Sequence, residues 1–314
     1  MTKKIATREA YGQALIELGN NNPDVVVLDA DLSKSTKTND FAKKFPERFF
    51  NMGIAEQNLM GTAAGLATVG KIPFASTFAM FATGRAFEII RNSIGYPKLN
   101  VKICATHAGL TVGEDGASHQ ALEDIACMRV IPNMTVIVPA DAVEAKAAIH
   151  AVAEVQGPAY VRLGRSGVPV INDETTYQFQ IGKGVTLKDG KDATIVATGI
   201  MVSEALEASK ALEEKGLSVR VINIHTIKPL DKEIIIKAAE ETGAIVTVEE
   251  HNIIGGLGSA VAEVIVENHP VPMKRIGTLD TFGESGKPDA LLQKYGLTKE
   301  KIMESVTNIV KTKG

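Results

Sequence analysis

The stretch VVVLDADLSKSTKT at residues 25–38 decides the fold. Its opening is an unbroken apolar run, not the apolar–polar alternation of a half-exposed strand, so it reads as a strand covered on both faces, as in a parallel sheet. The run stops in a polar loop of Asp, Ser, Lys and Thr, and open α/β sheets bind ligands where a strand gives way to such a loop. Working outward, a helical pattern precedes it at about 7–20. Downstream come a short strand near 72–75, a helix over 79–95, VKICAT at 101–106, a helix over 118–128, TVIVPA at 135–140, a helix over 142–155 and AYVRLG at 159–164. After a polar, turn-rich passage at about 166–185, the strands ATIVAT (193–198), VRVINI (219–224), AIVTVEE (244–250) and KRIGT (274–278) resume the alternation. This pattern predicts an α/β protein of two domains, each a mostly parallel sheet with helices on both faces. The first covers 1–172, a linker 173–185, and a second, smaller domain 186–314. No low-complexity segment or internal repeat is evident.

Composition narrows the class without choosing a function. A chain of 314 residues, 45% of them hydrophobic, suffices for two ordinary cores. Thirty-four Lys and Arg against 37 Asp and Glu leave a net charge of −3, which gives no general attraction for nucleic acid or an acidic membrane. Cys104 and Cys127 sit in apolar or helical surroundings without pairing or metal spacing, as buried thiols do in a reducing compartment. The start, MTKKIATREAYGQAL, lacks the apolar core of a secretory signal, and no apolar run reaches membrane length. A soluble cytoplasmic protein is expected.

Three segments carry candidate chemistry. In NMGIAEQNLMGTAAG at 51–65, Glu56 stands alone among apolar and small residues. It is either a helix-start carboxylate facing the dipole or a buried acid in need of a partner. In STFAMFATGRAFE at 76–88, Phe78 and Phe81 lie three apart, which on a helix puts both rings on one face, to pack in a core or to cradle a heteroaromatic ligand. In THAGLTVGEDGASHQALED at 106–124, His107, Glu114, Asp115 and His119 share one glycine-punctuated loop, too polar to be a packing element. The loop's His and Asp residues lack the tight paired spacing of a metal site. GGLG at 255–258 lacks the rest of a phosphate-binding fingerprint and reads as the start of a helix and an interdomain packing feature. His225, His251 and His269 carry no motif and are expected at an interface or the surface.

GIAEQN, then STFAMF, then HAGLTVGEDGASHQ, in that order, resembles the C-terminal half of transketolase, a thiamine-diphosphate enzyme, from about Arg8 to the end. The resemblance implies a pyrimidine-binding domain followed by the family's C-terminal domain. The family's remaining domain, which holds the cofactor's diphosphate through a metal ion, has no counterpart, since GEDG at 113–116 belongs to the substrate loop. The chain would then be the β subunit of a split enzyme, inactive without a separate N-terminal subunit, in an α2β2 heterotetramer. Mg2+ or Ca2+ would bind on the partner's side, with no metal ligand from this chain.

The resemblance also implies roles. Glu56 matches the glutamate that bonds the pyrimidine N1′ and drives the aminopyrimidine to its imino form. Phe78 and Phe81 match the rings that hold the pyrimidine, and Asp31 an aspartate near the cofactor, although a turn or cap after the strand explains Asp31 equally well. Arg8, Ser35, His107 and Arg165 match positions that bind the substrate phosphate. Arginine suits this because its planar fork meets phosphate oxygens in pairs. Asp115 and His119 match residues that meet sugar hydroxyls and assist proton transfer. The activity implied is reversible transfer of a two-carbon glycolaldehyde unit from a ketose phosphate such as xylulose 5-phosphate to an aldose phosphate such as ribose 5-phosphate. Two positions depart from some family members: Ala108 stands where an acidic residue follows the histidine, and Gly84 where a tyrosine follows the two phenylalanines. The rival readings are a deoxyxylulose-phosphate synthase-like chain, the β subunit of a 2-oxoacid dehydrogenase, and a non-catalytic assembly protein built on the fold.

Overall fold

The computed structural model describes residues 3–313. The apolar runs form strands, and alternate residues on them feed opposite faces as the pleat requires. Val25 and Val27 pack with Tyr11, Leu15 and Ile149 on one side of the first sheet. Val26 and Leu28 pack with Leu59 and Ala63 on the other. Helices Thr7–Asn21 and Ala142–Glu154 cover the first side, and Glu56–Thr68 lies on the second. Asp141 caps the helix at Ala142 by accepting the Glu144 N–H at 2.8 Å.

The first sheet has seven strands in the order Thr226–Lys228, Thr135–Ile137, Ala159–Arg162, Lys102–Thr106, Ile72–Phe78, Val25–Asp29, Phe49–Asn51. Every neighbouring pair is parallel except the first. That exception, Thr226–Lys228, comes from the second half of the chain and closes the sheet's edge. The second sheet has five strands in the order Met273–Thr278, Ile245–Asn252, Ala193–Ala197, Val219–Asn223, Val185–Lys188, with only the last antiparallel. The expected architecture of two mostly parallel, helix-covered sheets is the one observed. One apolar cluster runs from the first sheet into the second, joining Val136 and Tyr160 to Val196, Ile222 and Val261. A third, two-stranded sheet pairs Lys4–Ala6 with Gly167–Pro169. It brings the Thr7 hydroxyl to accept the Gly164 N–H at 2.7 Å, and so sets Arg8 and Arg165 at the same end of the molecule.

Three predicted elements are corrected. The single helix over 79–95 is broken into Phe81–Arg85, Phe87–Ile89 and Ile90–Gly95, the first and last with wide, π-type turns, an arrangement frequent at functional sites. The helix expected over 118–128 is only Asp124–Arg129. Before it, residues 117–119 form a tight turn, with the His119 N–H donating to the Gly116 carbonyl at 3.0 Å, and Ala121 is kept out of any helix because it bridges Ala108 and its carbonyl accepts from Gly109 N at 2.9 Å and from buried Arg162 at 3.3 Å. The strand at 135–140 ends at Ile137. The GGLG stretch does begin a helix, Leu257–Asn268, and the Glu249 carboxylate accepts the Leu257 and Gly258 N–H groups at 2.7 and 2.8 Å. An internal carboxylate thus occupies the anion position of that helix N-terminus. Among the described residues no helix is long and apolar enough to cross a membrane.

Candidate functional site

The site assembles at the carboxyl ends of the first sheet's central strands. Glu56 is the first residue of its helix and 4% exposed. Both readings of it therefore meet in one position: it faces the helix dipole and is also a buried carboxylate. Its partner is Arg85, whose Nη1 donates to Oε1 at 3.1 Å. A hollow of about 490 Å³ opens beside them, lined by Ile54, Ala55, Gln57 and Asn58.

From Arg85 a continuous row of flat groups leads inward. The Arg85 guanidinium lies over the Phe81 ring, 4.3 Å from its centre. Phe81 and Phe78 are near-parallel, 17° apart with centres 6.0 Å apart. Phe78, at the end of strand Ile72–Phe78, stacks on His107 at 3.8 Å. His119 meets Phe81 edge-on at 5.1 Å. The two phenylalanines therefore serve both core and cleft: Phe78 is nearly buried, while Phe81 is partly open.

His107 is buried and adopts a left-handed backbone, φ 56°. Arg8 Nη1 lies 3.4 Å from its Nε2. Arginine only donates, so Nε2 is the acceptor and Nδ1–H donates to the Thr106 hydroxyl at 2.9 Å. Burial, reinforced by Arg8, Arg165 and His119, pushes the imidazolium pKa down to about 3, so the ring is neutral near pH 7. Arg8 also donates to the Ser35 carbonyl at 2.7 Å. Serine at that position thus contributes its backbone, and its hydroxyl stays available. Among the described residues Arg8 Nε, which is buried, has no partner.

Arg165 donates to the Val112 carbonyl and lies 3.5 and 3.7 Å from the Glu114 and Asp115 carboxylates. His119 Nδ1 is 2.9 Å from the Ser118 hydroxyl. Asp31 lies at the rim, exposed and left-handed at φ 65°, and exchanges two hydrogen bonds with the Asn51 amide at 2.9 and 3.1 Å. Among the described residues no group of three His, Cys, Asp or Glu gathers into a cation site.

Three contributors escaped the sequence reading. Arg85 stands four residues after Phe81, a helical spacing that was available as a signal. Asp29, at the end of the apolar run, accepts from Leu32 N at 2.6 Å and from the Thr36 and Thr38 hydroxyls at 2.6 and 2.9 Å, and so shapes the loop that offers the Ser35 carbonyl. Glu250, in the second domain, had only its place at the acidic end of AIVTVEE to mark it.

A carboxylate, paired aromatic rings, a neutral imidazole and clustered arginines thus stand together at the carboxyl end of a parallel sheet, where such folds bind ligands. Comparison with known proteins gives the family. The transketolase pyrimidine-binding domain matches residues 3–170, and the transketolase C-terminal domain matches residues 182–302. The chain belongs to the transketolase family. It is 58% identical to a Methanocaldococcus jannaschii protein named for the C-terminal section of transketolase, over 97% of this chain and 96% of that one. It is 42% identical to a 6-deoxy-6-sulfo-D-fructose transketolase subunit of a Clostridium species, over 98% and 95%. Among solved structures, a split gene transketolase described as an inactive beta4 tetramer superposes with a TM-score of 0.93 at 63% identity, covering 99% of this chain and 100% of that one. The pyrimidine-binding domain implies dependence on thiamine diphosphate.

Proposed function

We propose that this chain is the C-terminal, β subunit of a split, cytoplasmic transketolase that moves a two-carbon glycolaldehyde unit from a ketose phosphate, such as xylulose 5-phosphate, to an aldose phosphate, such as ribose 5-phosphate. The observation that carries it is Glu56, a carboxylate sunk beside paired phenylalanine rings with one arginine for company. These residues fit the cofactor's pyrimidine: Phe78 and Phe81 offer flat aromatic surface, and Glu56 a buried carboxyl group able to share a proton with a ring nitrogen. Thiamine diphosphate, when bound, supplies the nucleophilic carbon and the electron sink that cleavage beside a ketone needs. Everything else asked of this chain is positioning and proton management. Glu56, which pairs with Arg85 at 3.1 Å, would hold a proton at the pyrimidine N1′.

The orphan Arg8 Nε, with Arg165 close by, supports an anionic tail on the sugar. His107, held neutral, accepts from Arg8 and fixes its fork, and the Ser35 hydroxyl adds a donor. Asp115 and His119, on the rim of the same cleft, would receive sugar hydroxyls, and an imidazole there would serve proton transfer. A sulfonate tail would satisfy the same arginines. The relative acting on a sulfonated fructose makes that the second reading of the substrate.

The diphosphate and its Mg2+ or Ca2+ fall to an N-terminal partner subunit in an α2β2 assembly; the split relative, described as inactive as a beta4 tetramer, supports the need for such a partner. The deciding experiment is turnover of xylulose 5-phosphate with ribose 5-phosphate, alongside the sulfonated ketose, for the chain alone and mixed with its N-terminal partner, with thiamine diphosphate and Mg2+. Activity in the mixture only is expected. Activity of the chain alone would refute the split assignment, and turnover of the sulfonated ketose only would replace the substrate. Glu56→Gln is expected to leave the fold intact and to lower the mixed activity by about 10²-fold or more. Near-native turnover by that variant would contradict the role of Glu56.

A further inference from the structure

The loop Leu110–Gln120, which carries Asp115 and His119, begins as tight 3-10 turns over Leu110–Asp115 that break at Gly113, and it is fastened at several points to the second domain. Glu250, at the carboxyl end of strand Ile245–Asn252, is buried and accepts the Thr111 N–H at 2.7 Å. The loop has been shaped around this carboxylate: a Cβ at Gly109, φ +82°, would fall 2.2–2.4 Å from it. Two more ties come from the segment that follows strand Met273–Thr278. The Gln120 amide donates to the Glu284 carbonyl at 2.9 Å while also reaching the loop's own Leu110 carbonyl at 3.2 Å. The Ser285 hydroxyl donates to the Glu114 carbonyl at 2.7 Å. Behind Glu250, Arg162 of the first sheet donates to the Glu250 carbonyl oxygen at 2.9 Å and to Asp124 at 2.8 Å, with the Glu250 carboxylate at 3.7 Å. The brace is therefore anchored in both domains.

We propose that the second domain serves as a brace that sets the substrate loop, with Glu250 as its positioning residue. The proposal deepens the sugar-phosphate reading above and rests on it for its kinetic consequence only. A loop with glycines at 109, 113 and 116, all at positive φ, has many conformations open to it. A buried hydrogen bond from one of its N–H groups to the Glu250 side chain removes most of them. Asp115 and His119 then meet the sugar from a fixed frame, and loosening that frame weakens substrate capture more than it slows the reaction once substrate is seated.

The test compares the full chain with Glu250→Ala, Glu250→Gln and Ser285→Ala. Hydrogen–deuterium exchange reads the loop directly. Glu250→Ala is expected to exchange about tenfold faster over 109–121 and unchanged over 25–30, and Glu250→Gln, which keeps an oxygen for Thr111, is expected to restore most of the protection. In the mixed two-subunit enzyme, Glu250→Ala is expected to raise KM for xylulose 5-phosphate about tenfold with kcat altered less than about threefold. Should Glu250→Ala fail to fold, Ser285→Ala decides, since its hydroxyl is exposed: about threefold faster exchange over 114–119 is expected. Folded variants with wild-type loop exchange would overturn the brace. If the wild-type mixture turns over no ketose phosphate, the substrate reading falls while the exchange data still judge the brace.

Discussion

His107 combines three roles at one position: a left-handed corner, a ring stacked on Phe78 and an acceptor for Arg8. Its proton equilibrium has a consequence for stability. The unfolded ring gains a proton below about pH 6.5, whereas the folded ring, desolvated and beside two arginines, resists down to about 3. Between these values the unfolded chain binds more protons, so acid removes stability. His107→Asn, a residue that tolerates the left-handed backbone, is expected to flatten this part of the acid slope. Urea midpoints at pH 7 and pH 5 check it: the wild type should lose more between them than the variant does. The residue types of the cleft were legible because Glu, His and Phe stand out in GIAEQN, STFAMF and THAG. Their pairing was not, since Arg85 and Glu56 are 29 positions apart and the contact exists only once the sheet has formed.

The loop after strand Val25–Asp29 is organised by the strand's own last residue. Burial raises the pKa of the Asp29 carboxyl against the opposing pull of its three donors, and those donors hold the turn that presents the Ser35 carbonyl to Arg8. Asp29→Asn replaces one acceptor oxygen with an NH2 that faces donors, which is expected to cost about 1–3 kcal/mol and to loosen residues 31–38. Denaturant unfolding measures the first effect and amide exchange over that loop the second. An unchanged midpoint would mean that Asp29 is dispensable to the turn. The long strands were readable because a doubly buried strand is a continuous apolar run. The short ones were not. Phe49–Asn51, Lys4–Ala6 and Thr226–Lys228 are three residues each, below the length at which any periodicity appears. The helix expected over 79–95 kept its place but not its regularity, because local spacing does not reveal the wide turns that set Phe81 and Arg85 over the cleft.

Across the whole molecule the two domains are joined by buried polar contacts that no pattern in the sequence announced. Glu144 is the clearest. Its carboxylate accepts from Ala140 N at 2.6 Å, from Asn223 of the second sheet at 2.8 Å and from the Tyr177 hydroxyl, and burial raises its pKa to about 7. Folded Glu144 thus holds a proton between its ordinary value of 4.5 and about 7 where the unfolded chain does not, so its contribution falls as pH rises through that window and is lowest above it. This is opposite in sign to His107. Glu144→Gln is expected to gain on the wild type by on the order of 3 kcal/mol in relative stability from pH 5 to pH 8. Paired melting curves at the two pH values test it, and a difference that does not change with pH would refute the assignment. The strand Thr226–Lys228, pairing with Thr135–Ile137 across the domain boundary, has a consequence of another kind. On the ribosome the first sheet is left with a raw margin at Ile137 until Thr226 has emerged, about 90 residues later, on the order of ten seconds of synthesis. The nascent first domain spends that interval with an unsatisfied ladder, open to misplaced pairing with a neighbouring nascent chain, and translation past residue 228 is what seals it.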